Sequence, residues 1–508
     1  MRFKLISLFL LTAVIAISAK AQRIDYSAPD KDDVRSVNFE VIGKINVHYL
    51  VYKNVRTSYT VSVFDDAMKE IEKVQLDFLP DRIINSDIIN YRDYFYFIYQ
   101  YQKKNEVYCM AAKMDGDGKL TGEPKQLDTT LISFFASNKI YTVINSEDKQ
   151  KIGVFKINTK DPENYQLSVS LFDADLNFLS KTFVSIPMQS RNSFLTEFEL
   201  DNEGSLVFVK ASGSSENNNI SNLTLITKEP DANAVKEYNL NISNLYLDDI
   251  RVKVDNANKH YLVASFYSKQ RRGNIDGLYC MLWDKSQAAE IKTNSLTFSD
   301  ELRNNAKGEG SSKTAFNDFF LQNILMRKDG GFAIASESFY SSTRGIYNNR
   351  WDNTYNSPYW ATSDYYLWTS PYAGYYYPWW RSGYSNTQTT RYFADNVVIM
   401  SFDSATQMQW ANVIQKSQYD DNSDNFIGYG TYKTESQVNF LFNQLEKRNL
   451  LLTVQGVAAD GQITRNPTLK NLDKGYVFMP RYARQVSSHE VIVPCQYRNY
   501  ICFAKIIF

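Results

Sequence analysis

Histidine is scarce in this chain, with 3 among 508 residues, and net charge is absent because 56 basic residues balance 56 acidic ones. So few histidines leave little material for histidine-based metal sites or catalytic triads. No Gly-x-Ser-x-Gly motif of a hydrolytic nucleophile is present either. Nucleic-acid binding requires a basic surface, which a balanced charge does not supply. We therefore expect no nucleic-acid partner, and we assign no catalytic or metal-binding residue from the sequence.

Cysteine is also rare, and four cysteines are too few for a disulfide scaffold in a chain of this length. Cys109 and Cys280 both lie in the sequence Tyr-Cys-Met and are expected to be small buried side chains on equivalent strands. Cys495 and Cys502 flank a turn and can face each other across a hairpin. Whether these two form a disulfide depends on the strand register, and the sequence leaves this open.

Long apolar runs are absent except at residues 5–19. Arg2 and Lys4 precede this run, and the small residues Ala19 and Ala21 follow it, as at a signal-peptidase site. We predict a signal peptide over residues 1–21 and a mature chain that begins at Gln22. The run is short for a transmembrane span, which takes about 20 residues. The sequence therefore predicts no transmembrane span and export to the periplasm, the cell surface or the extracellular space.

Aromatic and apolar residues are plentiful, at 15% and 44%, and much of this content repeats along the chain. The repeated unit is an alternating strand that ends in a bulky residue followed by Asp and a turn. Clear copies have their bulky residue at positions 64, 114, 172, 283 and 402, and weaker copies end near 226, 457 and 506. Eight units of similar length account for almost the whole mature chain, and such fixed-period repetition is typical of radial repeat folds.

Each unit contains more than one predicted hairpin, and the clearest units have four strands. In the fifth unit these span residues 248–255, 260–267, 277–284 and 290–298, with a short helix expected near 299–307. Four antiparallel strands repeated radially indicate an all-β fold, a single β-propeller over residues 22–508. Eight blades are favoured and seven are the alternative, while a two-domain β-structure is the minority interpretation. The last unit lacks a fourth strand, so we expect the N-terminal strand near residues 23–27 to close the ring.

The hydrophobic-Asp-turn pattern extends over residues 23–508, and with it the chain resembles exported bacterial β-propeller-type repeat proteins. The pattern is not specific to one family. The resemblance therefore implies a fold and leaves the function to be argued from a site.

A Tyr/Trp-rich insertion at residues 340–393 interrupts the sixth unit between its second and third strands; residues 340–392 contain 12 Tyr and 5 of the 7 Trp. Aromatic rings and interspersed Arg are suited to protein hot spots and to flat sugar rings. The alternative is a weakly ordered loop packed over the propeller. Loops that join second to third strands emerge on the same face of a propeller. The corresponding loop of the fifth unit therefore places two arginines on the face that carries the insertion. The predicted ligand- or partner-binding residues are Arg271, Arg272, Trp351, Trp360, Trp368, Tyr375, Tyr376, Tyr377, Trp379 and Trp380.

Two further features favour architectural roles. His48, His260 and His489 each open a predicted second strand, which points to a repeated structural position. Asp115-Gly-Asp117-Gly118 resembles part of a calcium loop, but the spacing to Glu123 is one residue short. A hairpin turn is favoured there. We expect no cofactor, with calcium as the less favoured option.

These features lead to three functional hypotheses. The first is a non-catalytic exported propeller that binds a glycan or an envelope protein through its aromatic face. The second is a glycoside hydrolase or lyase whose acidic residues line the central channel, and the third is a structural subunit of a cell-envelope assembly. Asp, Glu and Arg side chains that converge at the channel would favour the enzyme.

Overall fold

The computed structural model describes residues 23–508, apart from 31–36, 134, 137, 189–191, 214–218, 243, 309–310, 344–345, 349–389, 422, 447–448 and 466–474. The predicted signal peptide and most of the aromatic insertion lie outside the described residues. Within the described ranges, no helix is long and apolar enough to cross a membrane.

The described chain is nearly all β-structure, in successive antiparallel sheets whose strands mostly follow chain order. A short N-terminal strand, β1 (Arg23–Tyr26), comes first. The next three sheets each have four strands: β2 (Val37–Ile45), β3 (His48–Val55), β4 (Ser58–Phe64) and β5 (Glu70–Gln75); β6 (Asn85–Asn90), β7 (Tyr94–Lys103), β8 (Glu106–Asp115) and β9 (Lys125–Leu131); β10 (Thr142–Asn145), β11 (Lys151–Asn158), β12 (Asn164–Asp173) and β13 (Phe178–Pro187).

Two further four-stranded units share one hydrogen-bonded sheet, because a single pair, Ile220 with Leu247, joins them. A short helix, α1 (Asp300–Ala306), follows the second unit, and the Ser299 side chain caps it by accepting from Leu302 N at 3.1 Å. The strands of the two units are β14 (Ser193–Leu200), β15 (Leu206–Gly213), β16 (Ile220–Lys228) and β17 (Lys236–Asn239); β18 (Tyr246–Asp255), β19 (His260–Ser268), β20 (Gly277–Asp284) and β21 (Ala289–Thr297).

The remaining sheets carry short additional strands at their margins, and two 3₁₀ turns, Ser312–Thr314 and Pro480–Tyr482, lie between strands. The strands are β22 (Phe319–Met326), β23 (Phe332–Thr343), β24 (Ile346–Asn348), β25 (Thr390–Phe402), β26 (Met408–Ile414) and β27 (Gln418–Asp421); β28 (Tyr429–Lys433), β29 (Gln437–Glu446), β30 (Asn449–Ala458) and β31 (Ile463–Arg465); β32 (Tyr476–Phe478), β33 (Arg484–Gln485), β34 (Glu490–Tyr497) and β35 (Tyr500–Ile507).

The N-terminal strand lies in the same sheet as the C-terminal one. β1 pairs antiparallel with β35, from Arg23 opposite Ile507 to Tyr26 opposite Ala504. The sheet then continues through β34 to β32, and β33 pairs with β34 beside this path. β1 therefore occupies the fourth position of a sheet whose other strands come from the end of the chain.

The hydrophobic core is divided into clusters that lie between neighbouring sheets. Leu50 of the β2–β5 sheet packs in one cluster with Phe97 of the β6–β9 sheet. Another cluster joins the first four-stranded sheet to the last one, with Val51 in the same group as Ile492 and Phe503. Face-to-face packing of consecutive four-stranded sheets is consistent with a propeller, and the predicted all-β class is confirmed.

The recurring Asp of the clear repeat copies closes the hairpin after the third strand. Asp65 Oδ1 accepts backbone N–H bonds from Ala67 and Lys69, both at 2.9 Å. Asp115 Oδ1 accepts in the same way from Asp117 and Lys119 at 2.9 Å. Such side-chain bonds replace backbone partners in a tight turn, which explains why Asp recurs at this position. They also assign a hairpin-turn role to the segment that resembles a calcium loop.

Other local predictions are found in the structure. The fifth unit has strands at Tyr246–Asp255, His260–Ser268, Gly277–Asp284 and Ala289–Thr297, each within two residues of the expected bounds at both ends. Cys109 and Cys280 are buried. Cys495 and Cys502 face each other across the β34–β35 hairpin as buried free thiols, with their Sγ atoms 2.9 Å apart.

Candidate functional site

The predicted aromatic face is described only in part. Arg271 and Arg272 are exposed in the loop between β19 and β20, where Arg272 N donates to Asn219 Oδ1 at 2.7 Å. The aromatic insertion joins the second and third strands of its sheet, as predicted. The remaining predicted residues lie outside the described part of the chain and stay a prediction: Trp351, Trp360, Trp368, Tyr375, Tyr376, Tyr377, Trp379 and Trp380.

At the base of the insertion, ring stacking and a hydrogen bond fix the neighbouring strands. Tyr340 on β23 stacks on Phe393 of β25, with ring centroids 4.6 Å apart. The Tyr340 hydroxyl also donates to Asp395 Oδ2 at 2.9 Å. These contacts therefore hold the two strands that flank the insertion against each other.

Two of the histidines begin second strands, in agreement with an architectural role. His48 begins β3, and its Nδ1 lies 3.0 Å from Asp117 Oδ1 in the hairpin of the next sheet. His260 begins β19. His489 directly precedes β34, which begins at Glu490.

The first strands of neighbouring sheets lie against one another. β2 contacts β6 and β33, and β14 contacts β10 and β18. In a propeller the first strands surround the central axis. Polar side chains on these strands, widely separated in the sequence, are therefore brought together.

Five such residues form a group that we name the axial cluster: Glu40 on β2, Asp87 and Asn90 on β6, Lys149 in the turn between β10 and β11, and Arg484 on β33. Arg484 Nη1 lies 3.6 Å from Glu40 Oε1, and its Nη2 donates to Asn90 Oδ1 at 3.2 Å. Lys149 Nζ donates to the same Oδ1 at 2.8 Å and to the backbone oxygen of Asn90 at 2.7 Å. Four sheets therefore contribute to one polar site.

The axial cluster holds a carboxyl group that titrates near neutral pH. Burial raises the pKa of Glu40 to about 7, the Asp87 charge acts in the same direction, and Arg484 partly opposes the rise. The side chain is not fully enclosed, because 35% of its surface is exposed. A partly exposed side chain whose carboxyl pKa lies near the working pH is suited to general acid–base catalysis.

The two cations of the axial cluster are destabilised in their charged form. Burial and the neighbouring Arg484 charge both lower the pKa of Lys149. Burial also lowers the pKa of Arg484, against the opposing effect of Glu40. Their shared acceptor, Asn90, is a neutral amide, so it orients both cations without neutralising them.

Gly43 enables β2 to approach this amide. The register of β2 shifts between Val41 and Gly43, and Gly43 has φ +126°. A Cβ atom there would lie 3.0 Å from Asn90 Nδ2. A side chain at this position would be strained and would displace the amide, so glycine supports the geometry of the axial cluster.

A second charged group, on β14 and β18, is more fully paired. Both strands carry β-bulges, where Glu197 and Asp249 have φ +58° and +59°. Arg251 bridges them, with Nη1 3.1 Å from Glu197 Oε1 and Nη2 3.3 Å from Asp249 Oδ1. Val252 N donates to Glu197 Oε2 at 3.3 Å. Because these carboxylates are buried and engaged, the group is better suited to fixing the bulges than to transferring protons.

Sequence reasoning missed the axial cluster because its members belong to no common motif. The available signal was local: Glu40 is a charged residue between Phe39 and Val41, both of which are buried. Among the described residues, no group of three or more His, Cys, Asp or Glu side chains is arranged to hold a metal ion.

No protein-family model and no curated protein matches the sequence, whereas many solved structures do. A prolyl endopeptidase matches with TM-score 0.35 and 10% identity over 85% of this chain and 56% of its own. A polysaccharide lyase, an ulvan lyase, matches with TM-score 0.36 and 9% identity over 82% and 90%. Prolyl oligopeptidase B from Galerina marginata matches with TM-score 0.40 and 8% identity over 91% and 55%. The chain thus spans about half the length of the two prolyl peptidases.

The predicted non-catalytic binding function is contradicted, because the three similar proteins named above are enzymes. The prediction relied on the local abundance of Trp and Tyr, which composition reveals, and gave less weight to charged residues scattered along the chain. Identities of 8–10% concern the fold. Candidate chemistry is therefore taken from the geometry of this chain.

Proposed function

We propose that this protein is an enzyme that cleaves glycosidic bonds, a glycoside hydrolase or lyase, and that the axial cluster is its active site. The observation that carries the proposal is the partly exposed side chain of Glu40, which lies beside Arg484. Its carboxyl pKa is raised to about 7. Hydrolysis requires a carboxylic acid that protonates the leaving oxygen, and a raised pKa keeps such an acid protonated near neutral pH.

The other members of the axial cluster support this role in distinct ways. Asp87 lies close enough to influence the Glu40 pKa and offers a second carboxylate, positioned by a 2.9 Å hydrogen bond from Asn85 Nδ2. Arg484 and Lys149 supply N–H donors for sugar oxygens. The convergence of Asp, Glu and Arg side chains is the arrangement that the sequence analysis associated with an enzyme.

We further propose an eight-bladed ring closed by β1, because the described residues form eight four-stranded units when the sheet containing β14–β21 is divided at its single joining pair. The pairing of β1 with β35 supports closure, as does the cluster that packs the first four-stranded sheet against the last. Closure of this kind leaves no open edge between the ends of the chain.

We also propose that the enzyme is exported and acts on polysaccharide outside the cytoplasm, on the basis of the predicted signal peptide at residues 1–21. Sequencing of the N-terminus of the secreted protein tests this. A first residue of Gln22 is expected, and an intact Met1 in cells that express the full chain would contradict it.

The activity test is release of new chain ends from a panel of neutral and acidic polysaccharides. The wild-type protein is expected to cleave at least one polymer, and Glu40→Gln is expected to slow that cleavage by about 10²- to 10⁴-fold, the usual contribution of a general acid or base. Glu123→Gln is the matched control, because Glu123 is exposed in a surface segment. Cleavage of no polymer, or full activity of Glu40→Gln, would contradict the proposal.

A further inference from the structure

The axial cluster brings two cations to one neutral acceptor. Arg484 and Lys149 both donate to Asn90 Oδ1, at 3.2 and 2.8 Å. Burial lowers the pKa of each of these two cations. Two like charges held together in this way repel each other, and an anion placed between them would relieve the repulsion.

The Glu40 carboxyl group, which lies beside Arg484, neutralises the two cations only in part. Glu40 Oε1 is 3.6 Å from Arg484, beyond hydrogen-bond distance, and the Glu40 pKa of about 7 leaves much of this group neutral in slightly acidic solution. The Asp87 carboxylate accepts a hydrogen bond from Asn85 Nδ2 at 2.9 Å. With Glu40 protonated, the face formed by Arg484 and Lys149 carries an excess of positive charge.

Both cations retain donors for a ligand. A guanidinium has five N–H groups and an ammonium has three. Arg484 uses Nη1 for Val41 O at 2.8 Å and Nη2 for Asn90, while Lys149 directs two bonds at Asn90. Their remaining N–H groups match the oxygens of a carboxylate or a sulfate, the groups that Arg and Lys recognise best.

We infer that Arg484 and Lys149 form an anion-binding subsite, and that the substrate of the axial cluster is an acidic polysaccharide whose sugar carboxylate or sulfate occupies it. This inference rests on the proposed function for its substrate, but the binding it describes is measurable without turnover. Glu40 lies beside the bound anion and is the group that ionises as the pH rises.

The test is binding of polygalacturonate, dextran sulfate and unmodified dextran of similar length, measured by calorimetry at fixed ionic strength. Wild-type protein is expected to bind an acidic polymer and not dextran. Lys149→Met and Arg484→Met are each expected to weaken that binding by about tenfold or more, the loss expected for one charge-assisted hydrogen bond. Lys73→Met, which removes the same charge from the exposed outer strand β5, is the control and should bind normally.

The two acidic polymers distinguish the source of the anion. Stronger binding of polygalacturonate assigns a carboxylate, and stronger binding of dextran sulfate assigns a sulfate. If Lys73→Met weakened binding of the acidic polymer as much as the axial variants do, the binding would be nonspecific charge attraction and the inference would be overturned. Unchanged binding in both axial variants would also overturn it. Binding should also weaken as the pH rises through about 7 in the wild type, and not in Glu40→Gln.

The outcomes separate this inference from the proposed function. Cleavage of neutral glycans alone, without binding of acidic polymers, would overturn the anion subsite and leave glycosidic cleavage standing. Binding of an acidic polymer that depends on Lys149 and Arg484, without cleavage of any polymer, would support the subsite and contradict the enzyme.

Discussion

Replacing Glu40 by Gln should change how stability depends on pH. Below the ordinary carboxyl pKa of 4.5, the folded and unfolded states both hold the proton. Between 4.5 and about 7 the unfolded state loses it while the folded state keeps it, so the free energy of unfolding falls as the pH rises through this window. Glu40→Gln removes this loss and is therefore expected to be relatively more stable than the wild type above about pH 7.

The size of this effect follows from the burial of the carboxyl. A pKa rise from 4.5 to about 7 corresponds to at most about 3.4 kcal/mol for a fully buried group. Because 35% of the side chain is exposed, solvent screening reduces the expected gain to about 1–2 kcal/mol. Urea unfolding monitored by circular dichroism, at about pH 4 and about pH 8, measures the difference between variant and wild type at each pH.

Glu490→Gln provides a control of opposite sign. Burial acts to raise the pKa of Glu490, but Lys44 Nζ, 3.0 Å from its Oε2, helps to hold that pKa below the ordinary value. The stability it contributes is present above pH 4.5 and lost as the pH falls through its folded-state pKa, so this variant should be destabilised at pH 8. Equal pH profiles of Glu40→Gln and wild type would refute the reasoning for Glu40.

Three further predictions concern the fold. Glu337 and Lys416 form a buried ion pair at 2.7 Å. Lys416→Met leaves the Glu337 charge unpaired and should lower the free energy of unfolding, measured in urea, by about 3–5 kcal/mol. The double variant with Glu337→Gln should recover part of the lost stability. Denaturation without reductant should expose four thiols by colorimetric titration, because all four cysteines are buried and free; two thiols would indicate a disulfide. Removal of residues 23–26 should uncover the edge of β35, because β1 pairs with that strand. We expect a lower melting temperature and oligomers in size-exclusion chromatography. An unchanged melting temperature and a single unaltered peak would contradict this.

The local parts of the fold were predictable because they are encoded by neighbouring residues. The recurring Asp bonds to N–H groups two to four residues ahead, as Asp65 and Asp284 do, so the hairpin signal is contained in a short segment. Strand bounds in the fifth unit follow from alternation and turn residues in the same way. β-Bulges such as the one at Glu197 have no comparable signal, because the packing between sheets sets the register.

The candidate site could not be predicted from local sequence. Glu40 and Arg484 are more than 400 positions apart, and their proximity requires the first and last sheets to be neighbours. The sequence directed attention to the aromatic insertion, where Trp residues are concentrated in one stretch. Single charged residues on buried strands are less conspicuous, although such residues require partners and often mark functional sites.

The most direct test of the central claim is the pH dependence of kcat/KM for polysaccharide cleavage, because this quantity reports ionisations of the free enzyme. If Glu40 is the general acid, the wild-type rate should fall as the pH rises through about 7, where Glu40 loses its proton. The residual rate of Glu40→Gln should lack this inflection. An identical pH profile in the variant would contradict the assignment of Glu40 as the proton-transferring residue.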